Sequence, residues 1–373
     1  MNSRDPWLDF LRGLAVCLVV LAHLRVTDDC PRPIIDFLSL FQKAGGRAGV
    51  ELFFVLSGFL VSGLLFQEWS RMGKVGLGRF LVRRGFKIYP PFWCVLGFII
   101  AVRWWKGHET PAQRLFGELL FLQNYLGRLA EPHWTLAVEE HFYLLLVGLF
   151  AWQIKTKSSL SLEGWGRRVI GIYSLLLVCS ICARLLTDIY DPSNFDAVSL
   201  MTHACVDSLF LGVLLAWGCR VHNWHTRIQA IVRPLTSSLI ATGCLTLVCV
   251  GYHYKQGWVN VFGISVTTFA AALLLLSGVN RPFNLMGTSS RIVCSIGISS
   301  YSIYLWHMPW ILYLLPLLEK HLPWSSAWWS NIALSVVGSL ILGRMMVEVV
   351  ERPMLRLRDQ WFPPLAKFPN KIA

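Results

Sequence analysis

The chain has 373 residues, 55% hydrophobic and only 15% charged, with a mean hydropathy of +0.53. An ordinary soluble domain does not reach that balance, so lipid is the expected solvent for most of the chain. The formal charge of +13 does not imply nucleic acid, because the Lys and Arg residues lie in short connectors between apolar runs, where membrane orientation places them.

A helix needs roughly 20 residues to cross the hydrocarbon core. Runs of that kind begin near Leu8, Gly49, Ile88, Trp134, Val169, Val198, Leu235, Val259, Ile292 and Trp329. They predict an all-α polytopic bundle of about ten transmembrane helices, with residues 1–373 forming one membrane domain. The charged start before an apolar stretch has the look of a secretory leader. Arg12 interrupts it, however, and no A-x-A-like site follows His23, so the segment is expected to stay as the first helix. The Cys179/Cys182 pair lies inside a spanning run with no second pair, so neither a disulfide nor a metal role is expected, and no metal is predicted.

Connector charges set the expected orientation. With a cytoplasmic N-terminus, the inner connectors receive Arg71, Lys74, Arg79, Arg83, Arg84 and Lys87, then Lys155, Lys157, Arg167 and Arg168, then Arg220, Arg227 and Arg233. Both termini are therefore expected on the cytoplasmic side. Many of the seventeen Trp residues, Trp104, Trp105, Trp324, Trp328 and Trp329 among them, fall at helix ends as interfacial anchors.

Ionisable side chains inside such runs are costly and face a bundle interior or a wet cavity. The first helix, LDFLRGLAVCLVVLAH, carries Arg12 and His23. Eleven positions at ~100° each bring the two onto one face, roughly 16 Å apart along the axis. The fourth, HWTLAVEEHFYLL, places Glu139 and Glu140 after Trp134 at a depth similar to that of His23. A carboxylate beside an imidazole fixes its tautomer and makes it a better base. Glu51 joins this outer half from the second helix, Tyr301 and His307 from the ninth, and Asp207 lies near the middle of the sixth. Toward the inner side, FLVRRGFKIYPPFW brings Arg83, Arg84 and Lys87 near the depth of Arg12. Such a cluster suits the phosphates of a nucleotide-containing donor.

Each residue also has a plainer reading. Arg83 and Arg84 are ordinary positive-inside residues if taken alone, and Arg12 can snorkel to the interface. His23 can close a helix end, Glu139 and Glu140 can lock neighbouring helices, and His307 can pack at the Pro309 kink. His108, His133 and His141 are expected to be structural or solvated. What the set adds is two polar zones at matched depths, basic on the inside and His/Glu on the outside.

The Arg12-to-His23 spacing, GVELFFVLSGFL, RRGFKIYP, HWTLAVEEHFYLL, SSYSIYLWHMP and VEVVERPMLRL, in this order, resemble the acyltransferase 3 family of integral membrane acyltransferases. The resemblance covers about residues 7 to 358. It implies O-acylation, most often O-acetylation, of cell-surface glycans, lipid-linked sugars or related glycosylated acceptors, with acyl-CoA as donor, in a bacterial inner-membrane-like setting. It implies further that Arg12 and His23 are the family's paired first-helix residues, Arg84 and Lys87 its basic motif, and Glu139 and Glu140 its acidic motif. Lys87 stands where the family usually has Arg, which keeps charge but loses the bidentate fork. Thr135 replaces a common Ser. Cys205 stands where Arg is frequent, so Asp207 is expected to lack its usual partner. The fused esterase-like domain of larger relatives is not expected.

The mechanism that follows holds acyl-CoA phosphates at Arg12, Arg84 and Lys87, with Arg83 nearby. His23, oriented by Glu139 or Glu140, acts as general base or transient acyl carrier. Glu51, Tyr301, His307, Asp207 and Trp134 support the acceptor site, whose choice of sugar falls to loops such as 24–48 and 103–132. A rival reading from another class is a proton-coupled transporter of an anionic solute; a third is an inactive sensor or scaffold.

Overall fold

A computed structural model describes residues 5–155, 162–253, 257–281, 287–321 and 327–363. Among the described residues the regular structure is entirely helical. The principal helices are α1 (Pro6–Ala22), α2 (Gly46–Met72), α3 (Leu77–Trp105), α4 (Trp134–Lys155), α5 (Leu162–Tyr190) and α6 (Thr202–His222). They are followed by α7 (Pro234–His253), α8 (Gly257–Gly278), α9 (Thr288–Ile298), α10 (Ser300–Pro309), α11 (Trp328–Met346) and α12 (Arg352–Trp361).

Among the described residues, eight helical stretches are long and apolar enough to cross a membrane. The other two expected spans are the ones that carry His23 and His307. Helix α1 has 17 residues, and the run from Thr288 is divided at Ser299, then shifted into a π-helical turn over Trp310–Leu314 directly after Pro309. Leu175, Val178, Leu186 and Ile189 on α5 and Leu247 on α7 turn outward and are exposed. With no polar face to oppose them, such side chains belong against lipid, and the chain is an integral membrane protein.

Two glycine contacts bring helices together closely enough to define the interior. Gly13 of α1 lies against the Val293 carbonyl of α9, and Gly297 of α9 lies against the Asp9 carbonyl of α1. A Cβ at either position would overlap backbone. Gly58 of α2 and Gly212 of α6 meet in the same way. Small residues that let backbones touch are the usual means of packing helices in lipid, where burial of apolar surface gives no drive. The first contact fixes the face of α1 that bears Arg12. The second holds α2 against α6, and α6 is buried along most of its length.

Helix α3 contains Pro90 and Pro91. Their missing amides leave the carbonyls of Phe86 and Lys87 without their helical donors. The next carbonyl, that of Ile88, accepts from the Tyr301 hydroxyl of α10 at 2.7 Å. This bond ties α3 to α10 directly above the basic entry of α3.

Candidate active site

A cavity of about 870 Å³, counted to its open mouth, lies among α1, α2, α3, α4 and α10. Its polar lining is Arg12, Arg84, Lys87, Glu139, Ser57, Tyr143, Tyr301, Tyr304, Thr135 and Ser300. The basic zone and one of the two expected carboxylates thus share a single chamber. Among the described residues Glu139 is the one acidic side chain in that lining, against three cations.

The three cations are held differently. Arg12 Nη1 bonds Asp9 one turn earlier at 2.9 Å. Arg84 lies over the rings of Phe80 and Tyr143, 5.8 and 5.6 Å from their centroids. Neither Arg84 nor Lys87 has a hydrogen bond or ion pair within the described residues. Cations gathered in a half-buried chamber without matching acids are unfavourable unless an anion joins them. Phosphate oxygens satisfy that requirement with strong, charge-assisted bonds.

The two acidic residues diverge, as neighbours 100° apart on a helix must. Glu139 Oε2 accepts from Tyr143 at 3.2 Å and faces the cavity. Glu140 Oε2 accepts from Tyr89 of α3 at 2.9 Å, and its other oxygen is buried without a partner. Both carboxylates contact tyrosines, and neither hydrogen-bonds His23. The expected imidazole–carboxylate pairing at these positions is replaced by a different one.

His23 closes α1, and its Nδ1 donates to the Val19 carbonyl at 2.8 Å. Its ring packs edge to face on His307, with centroids 5.0 Å apart. The fully buried His307 donates Nδ1–H to the Tyr304 carbonyl at 2.6 Å. Tyr304 also lines the cavity, its ring 5.8 Å from that of His307. His23 is therefore not itself a wall of the chamber, but reaches it through His307 and Tyr304.

The remaining expected residues divide into cavity walls and structural locks. Tyr301 and Trp134 are placed by the α3–α10 tie and by packing on Phe54, respectively, and the Arg47 guanidinium lies 5.2 Å from the Trp134 ring. Glu51 is fully buried away from the cavity lining, bonded to Arg47 at 2.7 Å, to Thr268 at 2.9 Å and to Ser208. Asp207 has a partner after all. Arg184, reaching in from α5, approaches it at 3.5 Å and also bonds Ser265 and the Ser180 carbonyl. Arg83 turns away from Arg84 and bonds Asp359 of α12 at 3.0 Å and the Phe362 carbonyl, so it leaves the expected donor group.

Sequence reasoning missed Glu118. It sits in a short helix, Ala112–Leu119, is fully buried, and bonds His133 Nδ1 at 2.8 Å. Its surroundings AQRLFGEL read as an amphipathic loop helix, and only the tertiary fold shows that Glu118 is on the inward side.

The family profile described as an acyltransferase domain matches residues 5–344. The chain belongs to the acyltransferase 3 family. Among curated relatives, "Putative peptidoglycan O-acetyltransferase YrhL" of Bacillus subtilis (strain 168) is 27% identical over 400 residues, covering 96% of this chain and 55% of that protein. Peptidoglycan O-acetyltransferase OatA of Listeria monocytogenes serovar 1/2a is 24% identical over 383 residues, covering 94% of this chain and 55% of OatA. The chain thus spans about half the length of the curated relatives it matches. No solved structure matches it.

Proposed function

We propose that this membrane acyltransferase moves an acyl group, most simply acetyl, from cytoplasmic acyl-CoA to a hydroxyl of an extracytoplasmic glycan. The observation that carries the reading is the chamber itself, in which Arg84 and Lys87 lack acids of their own and share walls with Arg12 and Glu139. Donor phosphates take the cations, and the thioester extends past Tyr304 toward His23. The orientation with both termini cytoplasmic rests on the connector charges. The choice of acetyl and of peptidoglycan as the first acceptor to try rests on the relatives' names.

His23 suits the role of base because its Nδ1–H is committed to a carbonyl, leaving the Nε2 lone pair for a proton. The acceptor oxygen bonds to the acyl carbon as the carbon–sulfur bond breaks. The hydroxyl proton passes to Nε2 and then to the departing thiolate. Glu139 balances the cationic chamber and orients groups within it through Tyr143. A transient acyl group on the same nitrogen remains the other route for His23, distinguished by trapping an acyl-enzyme in the absence of acceptor.

The test uses the full chain in proteoliposomes with labelled acetyl-CoA and muropeptide or intact glycan. Acceptor-dependent CoA release and label on the glycan are expected. Flux of an unmodified anion without CoA release would instead establish the transporter.

A further inference from the structure

In the proposed transfer His23 is an imidazolium for as long as it holds the acceptor's proton. A cation inside a membrane bundle calls for something electron-rich in contact with it. A carboxylate is the usual answer, but among the described residues none bonds His23, whose Nδ1–H is spent on the Val19 carbonyl of its own helix. The ionisable groups on the elements around the ring are matched elsewhere. Arg12 pairs with Asp9 at 2.9 Å, Arg25 with Glu319 at 3.9 Å, His133 with Glu118 at 2.8 Å and Arg344 with Glu348 at 3.1 Å. Glu351 accepts from Ser302, and Glu139 and Glu140 from their tyrosines, while Arg84 and Lys87 line the chamber. What touches His23 is the ring of His307, with centroids 5.0 Å apart.

The state of that ring follows from its hydrogen bond. A carbonyl oxygen only accepts, so the 2.6 Å contact with Tyr304 fixes a proton on His307 Nδ1. The neutral imidazole then carries a bare lone pair on Nε2, and this atom is buried with no partner among the described residues. His307 is 0% exposed, so bulk water does not supply the missing donor. An unmatched acceptor in the interior is costly, and packing alone gives no reason for it, since a phenyl ring fills such space without the cost. His23 has the same tautomer, because the Val19 carbonyl takes its Nδ1–H. Two adjoining imidazoles that both present Nε2 lone pairs cannot bond each other while both are neutral. One added proton removes the mismatch: the ring that receives it gains a neighbour whose lone pair and π face are electron-rich.

The ring is also held in place. Helix α10 is buried at nearly every position, and Tyr304 anchors it through bonds to the Pro132 carbonyl and Thr135, both at 2.7 Å. Resting on the acyltransferase reading, we propose that His307 is a positioning residue, a neutral imidazole locked as an acceptor that stabilises the cationic form of His23 during transfer. The acceptor hydroxyl gives its proton to His23 as its oxygen bonds to the acyl carbon. The proton passes on to the thiolate released by the breaking carbon–sulfur bond. His307 neither gains nor loses a proton over the cycle.

The decisive variant is His307→Phe, which keeps an aromatic ring and removes the lone pair; His307→Leu serves the same purpose if phenylalanine is not accepted by the fold, as judged by melting in detergent. His307→Gln is the rescue, since its amide oxygen lies near the position of Nε2. Two readouts are taken on the full chain in proteoliposomes. The first is the pH dependence of His23 modification by diethyl pyrocarbonate, located by peptide mass spectrometry, which needs no turnover. Without its electron-rich neighbour the imidazolium is disfavoured, so the midpoint is expected at lower pH in His307→Phe and near wild type in His307→Gln. The second is acyl transfer, where kcat is expected to fall by ~10-fold or more in His307→Phe with donor KM little changed, and to recover in His307→Gln. A His307→Phe chain that transfers as well as wild type overturns the proposal. So does one whose kcat falls while the His23 midpoint stays where it was, a result that makes His307 a packing residue. A midpoint that moves in a chain showing no acyl transfer retains the coupling of the two rings and refutes the acyltransferase reading alone.

Discussion

Tyr304 bonds the Pro132 carbonyl through its hydroxyl while its own carbonyl holds Nδ1 of His307. One residue thereby joins the cavity wall, the turn that starts α4 and the imidazole that packs on His23. Removing only the hydroxyl tests how much that junction matters. On the proposed reading, Tyr304→Phe is expected to lower kcat while leaving donor KM near wild type, because the basic end of the chamber, proposed to hold the donor phosphates, is untouched. Steady-state kinetics with varied acyl-CoA reads the split; a raised donor KM with kcat unchanged would place Tyr304 in ordinary substrate binding.

Arg84 and Lys87 are expected to behave as ligand-binding cations. Each charge-assisted bond to a phosphate contributes roughly 1.5–3 kcal/mol, so Arg84→Ala should weaken CoA binding by about 10- to 100-fold. Thermal stability should hardly change, since no ion pair within the described residues is broken. Competition of unlabelled CoA against a labelled analogue provides the affinity, and melting in detergent provides the control.

On the proposed reading, His23→Ala should abolish transfer while leaving membrane insertion and affinity for CoA as in the wild type. General-base contributions of about 10²- to 10⁴-fold set the expected loss. Retained turnover in an inserted His23→Ala protein would remove the base from this position.

The Arg184–Asp207 pair should be chiefly structural. Both side chains are buried, so Asp207→Ala leaves a guanidinium without its counter-charge at a cost of about 3–5 kcal/mol. A lowered melting temperature is expected for both Asp207→Ala and Asp207→Asn, because each removes the counter-charge, with Asn sparing only the hydrogen bond. Detergent melting curves of the two variants compare them directly.

Outside the helices, Asp29 offers a pH-dependent latch. Its carboxylate accepts from Thr27 Oγ1 at 2.5 Å and from the Trp328 amide at 3.0 Å, bonds that hold it below the ordinary aspartate range. A lowered folded-state pKa means that the latch is complete above the unfolded value of about 3.9 and is lost as pH falls through the folded value. The protection of the Trp328 amide against hydrogen exchange, relative to its intrinsic rate at each pH, should therefore fall in acid, and Asp29→Ala should lower the same protection at neutral pH.

Much of the bundle was legible because apolar runs of spanning length act locally. The joining of Arg12, Arg84 and Lys87 was legible too, since helix periodicity and matched depth bring them near one another. The partners of Glu139 and Glu140 were not, because depth along a helix says little about azimuth: Tyr143 and Tyr89 take the places assigned to His23. Arg184 escaped for a related reason. A long side chain on α5 supplies the charge that a substitution at Cys205 had seemed to remove from beside Asp207. Glu118 was hidden by a short helix whose inward side only the surrounding tertiary contacts define.

Helix α1 is one unbroken rod held against α9 by backbone contact at Gly13 and Gly297. With Arg12 and His23 fixed along it, the rod becomes a ruler between the place where a carrier's head is gripped and the place where its cargo is surrendered. On the proposed reading, carriers whose tether is too short or too long for that interval would be sorted out by length alone, before the identity of the sugar is ever consulted.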